Sequence, residues 1–135
     1  MTNESLNRIG TGLLLLVFLA LAIGIVADVS NRTEAMAEQH VPQSDPIHGA
    51  AVITQYGCGT CHQIPGIRGA DGRIGPKLKD LSKRSILAGQ LPNNPDNLML
   101  WIEHPQKVRP GNDMPELGVS ESDARDMAAY LYSLR

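Results

Sequence analysis

Residues 56–64 read YGCGTCHQI and hold the only two cysteines in a chain of 135 residues. Cys58 and Cys61 stand three positions apart, and His62 follows the second thiol directly. A Cys-X-X-Cys pair can be a redox dithiol, half of a zinc site, a small structural disulfide or, with a histidine next, an attachment point for haem. Which of these applies decides what kind of core the rest of the chain must build.

Three of the four readings lack what they need. A redox dithiol belongs at the head of a helix in an alternating strand–helix unit, and no alternating apolar strand precedes Cys58. Structural zinc takes four ligands, usually as two spaced pairs, whereas His40, His48 and His104 stand alone. A disulfide between Cys58 and Cys61 would close too short a loop to stabilise much. Haem attachment uses all three residues. The two thiols add across the two vinyl groups of the porphyrin, and the next residue then lies under the iron as an imidazole ligand. One covalent haem c is the expected cofactor.

Composition agrees. After residue 27 the chain holds one tryptophan, Trp101, three tyrosines and no phenylalanine. A small domain buries a small fraction of its surface, and a porphyrin would supply the missing apolar area. The formal net charge of -2 gives no reason to expect a nucleic-acid partner. In bacteria, covalent haem attachment takes place on the outer side of the cytoplasmic membrane, which fixes the expected compartment.

The N-terminus bears on the same point. Residues 9–27, IGTGLLLLVFLALAIGIVA, run nineteen positions without a charge. That is close to the roughly 20 residues of a membrane-spanning helix and longer than the apolar core of a cleaved signal. Arg8 before the span weakly places residues 1–8 in the cytoplasm. The rival reading is signal cleavage, since Ala35-Met36-Ala37 resembles a cleavage site, ten residues beyond the apolar run. The expected organisation is a transmembrane anchor at 9–27, a polar linker at 28–44 whose first half could extend the helix, and a globular domain at 45–135.

Within that domain the pattern predicts helices joined by loops. Asp45 with Pro46 opens a helix that runs to Gly57. A short helix is expected over LSKRSILA, residues 81–88. Asn94-Pro95 opens another, which Pro105 closes. Ser120 and Asp123 form a capping box for the last helix, on which Ala124, Met127, Ala128, Leu131 and Leu134 share one face.

In this order GCGTCH, IGPKL, WIEHPQKVRPGNDMP and DMAAYLYSLR resemble the class I c-type cytochromes over roughly residues 45–135. The resemblance implies an all-α class I cytochrome c fold around one haem, preceded here by one transmembrane helix. It implies His62 as the proximal iron ligand and Met114 as the distal one, a thioether that raises the potential. Met99 and Met127 lie within helices and read as core filler. Pro76 matches the proline whose carbonyl accepts a hydrogen bond from the proximal histidine. Arg84 stands at the family's spacing for an arginine facing a haem propionate, with a solvated surface arginine as the other reading. Trp101 falls where an aromatic lies beside the distal ligand. Gly49 and Tyr130 match the close contact of first and last helices.

The function these residues imply is one-electron transfer, not enzyme catalysis. Residues 85–118 are similar to cytochrome domains that serve, or are fused to, haem–copper oxidases. The expected partners are therefore a quinol:cytochrome c oxidoreductase as donor and a terminal oxidase, through its subunit II, as acceptor, at the inner membrane of a bacterium with the haem domain on the periplasmic side. Residues 63–110 hold eight Lys/Arg against four Asp/Glu, enough to steer an acidic partner if they gather near the haem edge. The alternatives are a soluble periplasmic carrier after cleavage, or a gas-binding or peroxidase-type protein with an open iron site.

Overall fold

The computed structural model describes residues 3–134, with side chains at 12–32 and 41–134; the first two residues of the expected 1–8 segment and the side chains at 9–11 lie outside the described residues. Helix α1 (Asn3–His40) is followed by α2 (Pro46–Gln55), a 3-10 turn at Cys58–Thr60 and another at Leu81–Lys83. Strands β1 (Ile86–Leu87) and β2 (Leu91–Pro92) precede α3 (Pro95–Glu103), α4 (Pro105–Val108) and α5 (Glu121–Ser133). The chain divides into two units between Arg32 and Thr33.

The first unit is an apolar helix. Gly12–Arg32 spans 21 residues with a mean hydropathy of 2.7, and none of its most apolar stretch is buried. Its length and composition suit a membrane crossing. The candidate span runs past the expected end at Ala27, through Asp28 and Arg32, whose side chains pair at 2.9 Å one turn apart.

Helix α1 continues through most of the 28–44 segment, to His40, further than the first half that could extend it. Residues 33–39 read TEAMAEQ, mostly strong helix formers. Pro42 and the left-handed Gln43 (φ 59°) then end the helical path. Val41 is only 2 % exposed and belongs to the core of the second unit. That core therefore begins before Asp45.

In the second unit α2 starts as expected. The Asp45 carboxylate accepts from the amides of Ile47 (2.8 Å) and His48 (2.9 Å), with Pro46 in the first turn. Helices α2 and α5 cross at Gly49, where a β-carbon would collide with the Asp126 carbonyl. On α5, Ala124, Met127, Ala128 and Leu131 are buried as the spacing predicted, and Leu134 is half-buried against them. Ser120 Oγ caps the helix, accepting from Asp123 N at 3.2 Å, while the Asp123 carboxylate accepts from Tyr56 Oη at 2.9 Å. The other core residues include Val52 and Ile53 on α2 and Leu98 and Ile102 on α3. Among the described residues no buried side chain is a phenylalanine or a tryptophan.

One expected helix is a hairpin instead. Residues 81–88 form a 3-10 turn and then β1, which pairs antiparallel with β2 in the register Leu87↔Leu91. Ala88 (φ 50°) and Gly89 (φ 76°) are both left-handed, which turns the chain back where a helix would continue. Asn93 holds the result, its Nδ2 donating to the carbonyls of Leu81 (2.8 Å) and Arg84 (2.7 Å). Apart from this hairpin and an isolated bridge between Gln63 and Asp71, the described second unit is helices and loops, as expected.

Candidate functional site

Gly57, left-handed at φ 72°, ends α2 and swings the chain into the turn that carries the thiols. Cys61 N and His62 N both donate to Cys58 O, at 3.3 and 3.0 Å, so the turn is closed by its own backbone. The loop at 72–78 is then laid alongside it by three main-chain bonds. Gly72 N reaches Gly59 O (3.1 Å), Gly75 N reaches Cys61 O (2.9 Å) and Leu78 N reaches Gln63 O (2.9 Å). Gly72 must be a glycine for this approach, since a β-carbon would collide with the backbone of Thr60 and Cys61.

That pairing brings Pro76 to His62. The Pro76 carbonyl lies 2.8 Å from His62 Nδ1, the geometry of an Nδ1–H donor, which leaves Nε2 as the nitrogen with a lone pair. Such a bond fixes the tautomer and orientation of a ligating imidazole and raises its basicity. Gly75 completes the seat: a β-carbon there would lie 2.6 Å from Nδ1 and 2.9 Å from Nε2. The haem-attachment motif named His62 and the family resemblance named Pro76, but neither gave a sign of what Gly75 does. Its signal was only its place inside IGPKL.

Cys58 and Cys61 are both half-buried and are not joined to each other. Burial pushes the Cys58 thiol up, with the neighbouring Cys61 adding to it. A redox dithiol needs a depressed value, so the environment here is of the opposite kind. Among the described residues no group of three or more His, Cys, Asp or Glu side chains converges as a metal site, and the zinc reading has no second half. Two paired thiols, an imidazole presenting Nε2 and a core short of large side chains fit a covalent haem.

The other expected site residues sit on three further segments. Arg84 Nη2 donates to the Lys77 carbonyl and, at 3.2 Å, to that of Lys79, just past Pro76. Trp101 is half-buried on α3, the helix that leads through His104 into α4. Met114 follows α4 in an irregular loop and is half-buried. At Gly49 the atoms that a β-carbon would meet first are backbone atoms of Asp126 and Met127, and Tyr130 donates to the Pro65 carbonyl at 2.8 Å. Tyr130 thus ties α5 to the loop that follows His62.

Comparison with known proteins places this arrangement. The "Cytochrome c" family model matches residues 47–135. Cytochrome c oxidase subunit 2 of Alkalihalophilus pseudofirmus is 35% identical over 113 residues, which is 83% of this chain and 30% of that protein. Cytochrome c oxidase subunit 2 of a Bacillus species is 33% identical over 98 residues, 68% of this chain and 27% of that protein. The subunit of the same name from Bacillus subtilis is 29% identical over 86 residues, 62% of this chain and 24% of that protein. The chain spans less than a third of the length of these curated relatives. With the family match covering the whole segment from α2 to the C-terminus, the chain belongs to the cytochrome c family of electron carriers, whose cofactor is a covalently held haem c.

Proposed function

We propose that this protein is a membrane-anchored one-electron carrier of a bacterial respiratory chain, passing electrons from a quinol:cytochrome c oxidoreductase to a terminal haem–copper oxidase, free or as a bound subunit. The observation that carries it is the seating of His62, with Nδ1 on the Pro76 carbonyl at 2.8 Å and Nε2 left for iron. The similarity to oxidase subunit 2 supports a terminal oxidase as the partner. The apolar Gly12–Arg32 helix supports an anchor, and covalent haem attachment on the outer side of the bacterial membrane supports a haem domain on that side.

In this reading Cys58 and Cys61 would hold the haem by thioether bonds, and His62 and Met114 would ligate its iron. The haem, when bound, supplies the one-electron exchange between ferrous and ferric iron. Pro76 keeps the proximal imidazole in one tautomer. Arg84, held over the Lys77–Lys79 segment, would balance a propionate, and Trp101 would stand beside the Met114 ligand. A thioether on the distal side raises the potential, as handing electrons to an oxidase requires.

The test is the spectrum of the purified holoprotein and of Met114→Ala. The oxidised parent should show the weak near-infrared sulfur-to-iron band, and the reduced parent should be low-spin and slow to take up carbon monoxide. In Met114→Ala the band should vanish, the potential should fall, and external ligands should bind. A parent that binds carbon monoxide at once would instead have an open iron site, and the carrier reading would be wrong.

A further inference from the structure

The loop that carries Met114 runs from Arg109 to Gly118, ahead of the core residue Val119. Side-chain hydrogen bonds hold it, and most of them come from two residues.

Gln106, on α4, spends its whole amide on this loop. Its Nε2 donates to the carbonyls of Asn112 (2.8 Å) and Met114 (2.7 Å), and its Oε1 accepts from Gly111 N (3.0 Å). Asn112 works from inside the loop. Its Oδ1 accepts from Met114 N (2.7 Å), and its Nδ2 donates to the carbonyls of Pro105 (2.9 Å) and Arg109 (2.6 Å). The backbone of Met114 is thus gripped on both sides, N–H by Asn112 and C=O by Gln106. A further bond, Gln106 N to Glu116 Oε1 at 3.0 Å, closes the far end of the loop on α4.

We infer that Gln106 is a positioning residue for the distal side of the haem, clamping the Met114 backbone so that the thioether stays on the iron against water and other ligands. This rests on Met114 being the distal ligand. A thioether is a soft, neutral ligand, so its occupancy depends on how little freedom the loop has to carry it away. Three hydrogen bonds from a single half-buried side chain supply that restraint, in the way that outer partners orient metal ligands elsewhere. Asn112 shares the task but also shapes the loop's own turn, which makes Gln106 the cleaner probe.

The experiment compares imidazole binding to the ferric holoprotein in the parent, Gln106→Ala, Gln106→Glu, Met114→Ala and Tyr132→Phe. Gln106→Glu keeps the size of the side chain but turns its donor into a carboxylate oxygen facing two carbonyls. Both Gln106 variants should bind imidazole more tightly, by about tenfold or more for two or three lost bonds, and should lose the near-infrared sulfur band at lower imidazole. Tyr132→Phe removes a hydrogen bond to Asn93, away from this loop; it should lower the thermal midpoint and leave imidazole affinity as in the parent. If Met114→Ala loses the sulfur band while the Gln106 variants bind imidazole like the parent, the clamp is overturned and the ligand reading stands. If Met114→Ala keeps the band, the ligand reading itself fails and takes the clamp with it.

Discussion

Gly75 lies against the imidazole of His62, close enough that a β-carbon would sit 2.6 Å from Nδ1. The same residue donates its N–H to Cys61 O at 2.9 Å, so it cannot retreat without breaking the bond that brings Pro76 into reach. Gly75→Ala should therefore rotate or displace the ring instead of moving the loop. Overpacking of this kind costs about 1–3 kcal/mol. The variant should give little holoprotein, and what forms should show a shifted potential and an altered ferric low-spin signal. Normal yield with an unchanged potential would mean that the ring tolerates the contact.

The imidazole of His48 meets the carboxylate of Asp126 across the α2–α5 crossing, Nδ1 to Oδ2 at 2.8 Å. That hydrogen bond raises the pKa of His48 above 6.5, with burial opposing and the charges of Asp126, Asp123 and Asp45 adding. A raised folded-state value means that the protonated pair stabilises the fold below the unfolded pKa. The contribution is lost as pH rises through the folded value. The thermal midpoint of the parent should exceed that of His48→Ala by more at pH 6 than at pH 8.5. A gap that stays constant between those pH values would show that the pair does not contribute by charge.

Asn93 ties the hairpin to the 3-10 turn before it, and Tyr132 Oη donates to its Oδ1 at 2.7 Å. Burial pushes the Tyr132 hydroxyl up to about 12, so it remains a donor throughout the working range of pH. Asn93→Ala removes this bond and the two to Leu81 and Arg84. At about 1 kcal/mol for each net hydrogen bond, it should cost roughly two to three times as much as Tyr132→Phe in denaturant unfolding. Equal losses would mean that Tyr132 alone holds the hairpin in place.

This hairpin also marks where sequence reading stops. Ser85 to Leu91 is too short to show a period of two, and what bends it is a pair of left-handed residues fixed from outside by Asn93. The Met114 loop was opaque for a similar reason: hydrogen bonds from Gln106 and Asn112 to backbone leave no periodic trace. The helix faces were legible because apolar spacing and caps are local signals, as Ala124 to Leu131 on α5 and Asp45 before α2 illustrate. The site was legible as chemistry, in CGTCH, but not as a seat, because Gly75 acts through what it lacks. The reach of α1 through 33–39 was readable from its helix formers, yet the polar composition there suggested a linker.

The anchor and the buried Val41 lead to a last prediction in two steps. If Gly12–Arg32 crosses the bilayer, the full chain should remain in membranes after washing with high salt or carbonate. Burying some twenty apolar residues outweighs any charge-based attachment that salt could screen. A chain shortened to begin at Thr33 should be soluble and keep the parent's haem spectrum, since the second unit has its own core. It should still reduce a purified oxidase in solution, but turn over more slowly in membranes at equal amounts, because the tether keeps the haem at high effective concentration beside its partners. A chain begun at Asp45 should also fold, but less firmly. It lacks Val41, only 2 % exposed in the parent, and full burial of such a side chain is worth about 1.5–3 kcal/mol. The shorter chain should therefore unfold at lower denaturant than the one begun at Thr33, with the same spectrum. If the two midpoints coincide, Val41 adds nothing to the core and the domain begins at Asp45 after all. If the full chain washes off and its mature N-terminus maps beyond Ala27, the apolar segment was a signal and the protein is a diffusing carrier.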